Sequence, residues 1–118
     1  IDIEQKQKLE ELALKINKAK DVFDLAQVEA KAKELDSKLQ SEDIWQDPQS
    51  AAKLSQELTE CKNTLEKTAN WDKSIEDCNV LIELYNETED ESLWEELQNT
   101  LDNLEKEMNE WEVEGEGL

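Results

Sequence analysis

Glycine and proline are nearly absent: two glycines and one proline stand in 118 residues. Hairpin turns, bulges and phosphate-cradling loops draw on those residues, so an all-β or dinucleotide-binding α/β fold is not expected. Histidine is missing altogether, and the 13 basic residues are all lysine. Serine and cysteine nucleophiles therefore lack the usual base that activates them. The two cysteines are far apart in sequence, so no zinc site is expected. No apolar run reaches the roughly 18 residues of a membrane span, and no signal-like segment opens the chain. Hydrophobic residues make up 36%, thin for a globular core, while 38% are charged against an ordinary share of about 25%. That balance leaves disorder or long amphipathic helices, and periodicity decides between them.

The apolar residues are periodic. Over 3–20 they fall at Leu9, Leu12, Ile16 and Ala19, one face of a helix. A break is expected at Asp21-Val22-Phe23, with Asp24 and Gln27 as a capping box for a second helix. Its stripe is Leu25, Val28, Ala32, Leu35 and Leu39, the spacing of a narrow coiled-coil seam. Residues 41–46 lose the pattern and predict a connector. Asp47-Pro48 then restarts a helix, aspartate accepting orphan amide protons and proline lacking one at the first helical position.

From Pro48 no breaker appears until about Asn86, which predicts a spine of nearly forty residues, about 58 Å long. Its stripe runs Ala51, Leu54, Leu58, Cys61, Leu65, Thr68 and then Trp71, Ile75, Cys78, Ile82, Tyr85. Two successive steps of three between Leu65 and Trp71 form a stammer that shifts the apolar face. The second helix is expected to pack along the first part of the spine and a fourth along the last part, with the change of partner at the stammer. Thr88 and Glu91 suggest a capping box for that fourth helix, whose stripe is Trp94, Leu97, Leu101, Leu104, Met108 and Trp111. The expected fold is all-α: an elongated antiparallel helical bundle or coiled coil of about four helices with one long central helix. It forms a single domain over 1–112, with 113–118 a frayed tail or the exit to a further domain. The first residue is Ile1 rather than methionine, which predicts a piece of a longer protein.

Cys61 and Cys78 lie some 25 Å apart along a continuous spine, beyond the roughly 7 Å that a disulfide allows, and are expected buried and reduced. The acidic run 86–96 lacks the glycine and the terminal glutamate of a calcium-binding loop. Narrow helical seams offer no dry pocket for acid–base chemistry, so neither an enzymatic activity nor a cofactor or metal is expected. The net charge of -19 is unevenly placed: residues 1–40 hold 9 acids and 8 lysines, whereas 41–118 hold 23 acids and 5 lysines. The acidic part repels phosphate and suits a basic protein partner instead.

The connector Glu42-Asp43-Ile44-Trp45-Gln46-Asp47-Pro48, followed by Ala51, Leu54, Glu57 and Leu65-Glu66, resembles the tryptophan-bearing segment near the start of bacterial class I peptide chain release factors. Trp71, Ile75-Glu76-Asp77, 81–84 and the acidic 87–91 follow in that family's order and spacing. The likeness, greatest to the release factor 2 branch, covers about Phe23 to Trp111. It implies a non-catalytic amino-terminal helical domain acting in translation termination in the cytoplasm. It also implies partners: the ribosome, through ribosomal proteins of the large-subunit stalk base, and the GTPase-type release factor; the acidic charge speaks against DNA and the lack of a long apolar run against a membrane. The family's Ser-Pro-Phe codon-reading and Gly-Gly-Gln hydrolysis motifs are not in this sequence. Trp45 is expected to plug the turn between the second and third helices, and Trp71, Trp94 and Trp111 to lie in the core. A contact surface would use residues off the stripes, and Lys15, Lys18 and Lys31 are the candidates for touching rRNA. Without the resemblance, the residues describe a stand-alone acidic helical adaptor that binds a basic protein or self-associates. A protein presenting acids as a nucleic-acid mimic ranks below both.

Overall fold

The computed structural model describes residues 3–113, with side chains through Glu112. The described residues form helices α1 (Ile3–Phe23), α2 (Leu25–Gln40), α3 (Pro48–Thr88) and α4 (Glu91–Val113), with a 3-10 turn at Glu42–Gln46 and no strand. The all-α class expected from periodicity holds. At 41 residues α3 is the long helix, about 61 Å at 1.5 Å per residue. The expected tail or exit at 113–118 lies, beyond Val113, outside the described residues.

Helix ends follow local chemistry, not always the expected one. Asp47 caps α3 as expected: its carboxylate accepts the Ser50 amide at 3.4 Å and the Ser50 hydroxyl at 2.8 Å, with Pro48 as the first helical residue. The capping box at Asp24 does not form. Asp24 is left-handed at φ 51°, whereas a capping residue normally has extended backbone, and it makes no side-chain cap bond. Its carbonyl instead accepts from Gln27 and Val28 at 3.0 and 3.1 Å. The break is one residue rather than three, because α1 runs on through Phe23. The Thr88 box also fails, since α3 extends to Thr88 and turns its hydroxyl back on the Leu84 carbonyl at 2.8 Å. Glu89, left-handed at φ 55°, ends α3 by donating to the Tyr85 carbonyl at 2.7 Å. Asp90 then caps α4, accepting the Ser92 amide at 3.0 Å and its hydroxyl at 2.8 Å.

The chain divides into two compact units. One is Phe23–Thr68; the other joins Ile1–Val22 to Ala69–Leu118. In the first, the short connector folds α3 back on α2, and Leu35, Leu58 and Cys61 form a core flanked by Val28, Ala32, Leu39 and Leu54. This is the seam predicted from the α2 stripe. The boundary falls between Thr68 and Ala69, at the stammer. Thr68 is buried, and its hydroxyl is satisfied within the helix by the Thr64 and Leu65 carbonyls at 3.2 and 3.1 Å.

The second unit packs three helical segments. Its buried residues are Leu9, Leu12, Ile16 and Ala19 of α1, Trp71, Cys78 and Leu81 of α3, and Leu97, Leu101, Leu104, Met108 and Trp111 of α4. Trp71 meets Trp111 edge to face, centroids 5.7 Å apart at 76°, and Tyr85 lies 5.8 Å from Trp94. The pairs 71–111 and 85–94 set α3 and α4 antiparallel. Lys8 with Asp102 and Lys15 with Glu112 advance together, so α1 runs parallel to α4. Covered by two helices, α3 buries a wider sector here: Leu81 is buried and the stripe residue Ile82 only half-buried.

Candidate functional site

Surface charge is sorted by helix. α4 carries eight carboxylates and one lysine, whereas α1 carries five lysines and four carboxylates. α1 therefore supplies counter-charges within its unit. Lys8 reaches Asp102 at 2.8 Å and Glu105 at 3.5 Å, Lys15 reaches Glu112 at 3.7 Å, and Lys20 reaches Asp72 at 2.8 Å. The hydrogen bond to Asp102 holds the Lys8 ammonium above its ordinary pKa, against some desolvation. Gln5 hydrogen-bonds Gln98 beside this cluster. The crevice between α1 and α4, about 400 Å³, is lined by Gln5, Lys8, Glu11, Gln98 and Glu105 among others.

Of the lysines singled out in the sequence, Lys15 and Lys18 lie on α1, and Lys31 lies on α2 in the other unit. All three are exposed. The bond from Lys15 to Glu112 is long and its partners are about half exposed, an arrangement worth about 0–1 kcal/mol. It leaves the Lys15 ammonium open to another anion. Sequence reasoning passed over Lys8 and Lys20, because only the parallel placement of α1 reveals their acidic partners.

Trp45 departs from expectation. Its indole N–H donates to the Leu39 carbonyl at 2.7 Å, which ties the ring to the open end of α2, yet the residue is 58% exposed. It stands within the five-residue 3-10 turn, in which no residue is buried. Trp71 and Trp111 are buried as expected, while Trp94 is half-buried beside Tyr85. A second crevice of about 310 Å³, between α3 and α4, is lined by Asp77, Val80, Leu81, Glu96 and Thr100, and Val80 and Leu84 are exposed.

Cys61 and Cys78 are buried free thiols. Burial, with the Asp77 carboxylate beside it, pushes the Cys78 thiol up to about 11, so it stays protonated at neutral pH. Among the described residues no group of three or more potential ligands is placed to hold a metal ion, and no helix is long and apolar enough to cross a membrane. The described surface presents lysines on α1 and α2, carboxylates on α4, and an exposed indole in the turn between α2 and α3.

Comparison with known proteins adds a sequence-wide signal. The profile of the PCRF domain matches residues 28–117. Peptide chain release factor 2 of Clostridium perfringens (strain SM101 / Type A) is 33% identical over 110 residues, 93% of this chain and 30% of the relative. Peptide chain release factor 2 of Shewanella woodyi is 29% identical over 105 residues, 89% of this chain and 29% of the relative. Peptide chain release factor RF2 of Thermus thermophilus is 29% identical over 85 residues, 72% of this chain and 22% of the relative. The chain thus spans about 30% or less of the length of these relatives. No solved structure matches at a significant level.

Proposed function

Because this chain belongs to the PCRF domain family, we propose that it serves as the non-catalytic amino-terminal helical domain of a peptide chain release factor. In translation termination it would help position the factor on the ribosome near the stalk base of the large subunit. The observation that carries this reading is the family match over 28–117, alongside release factor 2 relatives aligned to up to 96% of the chain. Ribosomal proteins of the stalk base and the GTPase-type release factor are the proposed partners, in the cytoplasm. Codon reading and peptidyl-tRNA hydrolysis fall to other parts of a release factor, since neither Ser-Pro-Phe nor Gly-Gly-Gln occurs in this sequence. Lys15, Lys18 and Lys31 are proposed to touch rRNA, as exposed cations on the two helices whose acids and lysines nearly balance.

Co-sedimentation with bacterial ribosomes tests both levels. The chain is expected to pellet with ribosomes at moderate salt, and a K15E/K18E/K31E variant to pellet more weakly while keeping its helical circular dichroism. A chain that stays in the supernatant overturns the ribosomal role, and a variant that pellets like wild type overturns the lysine assignment. The charge of α4, eight carboxylates to one lysine, favours a second reading, a stand-alone acidic adaptor for a basic protein. An open reading frame continuing past Leu118 into the two missing motifs decides against that adaptor.

A further inference from the structure

Trp45 stands apart among the aromatic side chains. Trp71 and Trp111 are buried and Phe23, Tyr85 and Trp94 half-buried, whereas Trp45 is 58% exposed. Leaving an indole in water forfeits the stabilisation that its burial would bring, and exposed tryptophans concentrate at contact sites. The ring is held in place. Its N–H donates to the Leu39 carbonyl at 2.7 Å, and the turn beneath it closes with the Asp47 amide on the Ile44 carbonyl at 3.2 Å. Asp47 is fixed in turn by the Ser50 amide and hydroxyl. An aromatic face oriented before binding costs little ordering entropy when a partner arrives.

The turn that carries Trp45 is acidic in sequence. Residues 39–52 include Glu42, Asp43 and Asp47 and no lysine. Lys38 and Lys53 stand at the two edges of that segment, Lys38 paired with Glu34 at 3.1 Å. The negative face of an indole attracts a cation, and a guanidinium can stack on the ring while its fork meets a neighbouring carboxylate. A nucleobase stacked on the same ring would bring its phosphates to an acidic turn, which disfavours RNA.

We propose that the exposed face of Trp45, flanked in sequence by Glu42, Asp43 and Asp47, is the docking point for an arginine-bearing segment of a basic protein. This deepens the ribosomal reading and rests on it for the partner's address, a basic ribosomal protein rather than rRNA.

The test has two arms. The nitrogen-15-labelled chain is titrated with a synthetic peptide of alternating arginine and alanine, and separately with single-stranded polyuridylate. The Trp45 indole resonance is assigned from W45F. The peptide is expected to move that resonance and to bind W45A roughly tenfold more weakly than wild type. E42Q/D43N is expected to weaken it as well. Equal peptide affinity for W45A and wild type overturns the proposal, as does a Trp45 resonance that moves with polyuridylate and not with the peptide. In the second arm W45A, shown to be folded by circular dichroism, is sedimented with ribosomes beside wild type. Wild type and W45A pelleting equally overturns the ribosomal address while leaving the termination role intact. Wild type failing to pellet removes the termination reading, and the peptide titration then decides the docking point by itself.

Discussion

At Cys78, buried in the unit of α1, α4 and the later part of α3, the thiol has an ionisation far from its solution value. Desolvation, with Asp77 adding to it, raises it from 9.0 to about 11. The raised pKa belongs to the folded state, so the stabilisation is complete below about pH 9 and is lost as pH rises toward 11, about 3 kcal/mol at most. Urea unfolding at successive pH values between 8 and 11 is expected to show this loss, and Cys78→Ala, cavity cost aside, to flatten it. At pH 8 an alkylating reagent should modify Cys78 only after unfolding. Trp71 and Trp45 offer a second contrast at this scale. Trp71 is 2% exposed and packs on Trp111, so Trp71→Ala is expected to cost about 3–5 kcal/mol. Trp45→Ala removes one exposed hydrogen bond and should cost about 1 kcal/mol or less. Equal losses in urea midpoint would contradict this division between core and surface tryptophan.

Helix ends show where short-range patterns suffice and where they fail. Asp47-Pro48 was legible because cap and first helical residue are adjacent in sequence, and the bonds formed as the pattern requires. Asp24 has the right residue type and spacing, yet it is the single residue between α1 and α2 and its backbone is left-handed, which takes its side chain out of the capping position. Asp24→Gly is therefore expected to fold normally, whereas Asp24→Val should cost about 1 kcal/mol or more through strain at positive φ. The capping bonds hold the Asp47 and Asp90 carboxyls below the usual 3.8, the Ser50 and Ser92 hydroxyls contributing most. Their folded pKa is depressed, so each cap contributes stability fully above pH 3.8 and loses it as pH falls through the lower folded value. Amide resonances of Ser50 and Ser92 are expected to titrate below that of a free aspartate, and to lose the transition in Asp47→Ala and Asp90→Ala respectively.

The charge of the whole molecule is -19. Ion pairs from Lys8, Lys15 and Lys20 offset only a part of it, and they are partly exposed, each worth about 0–1 kcal/mol. Repulsion among the remaining carboxylates is expected to outweigh them, and salt screens it once the Debye length falls to about 10 Å. The melting temperature is expected to rise between about 0.01 M and about 0.1 M salt. A fall over that range would mean that the α1 ion pairs are stronger than the self-repulsion.

Periodicity determined the helical class and the stripes, because a helix shows its buried face every three or four residues whatever covers it, and the lack of a breaker after Pro48 determined the long α3. The stammer at 65–71 likewise marks the boundary between the two compact units, since a shift of the apolar face along one helix calls for a change of neighbour. The partner of α1 was a different matter. The α1 stripe, Leu9 to Ala19, is as regular as the others, but nothing in it says that its neighbour is α4 or that the two run parallel; that depends on contacts some 93 residues apart in sequence. Of the α1 lysines the sequence singled out Lys15 and Lys18, and only tertiary packing sets Lys8 and Lys20 against acids of α4 and α3. Trp45, read as a plug, became an open, anchored indole because the exposure of a side chain in a short turn depends on what lies beside it in space.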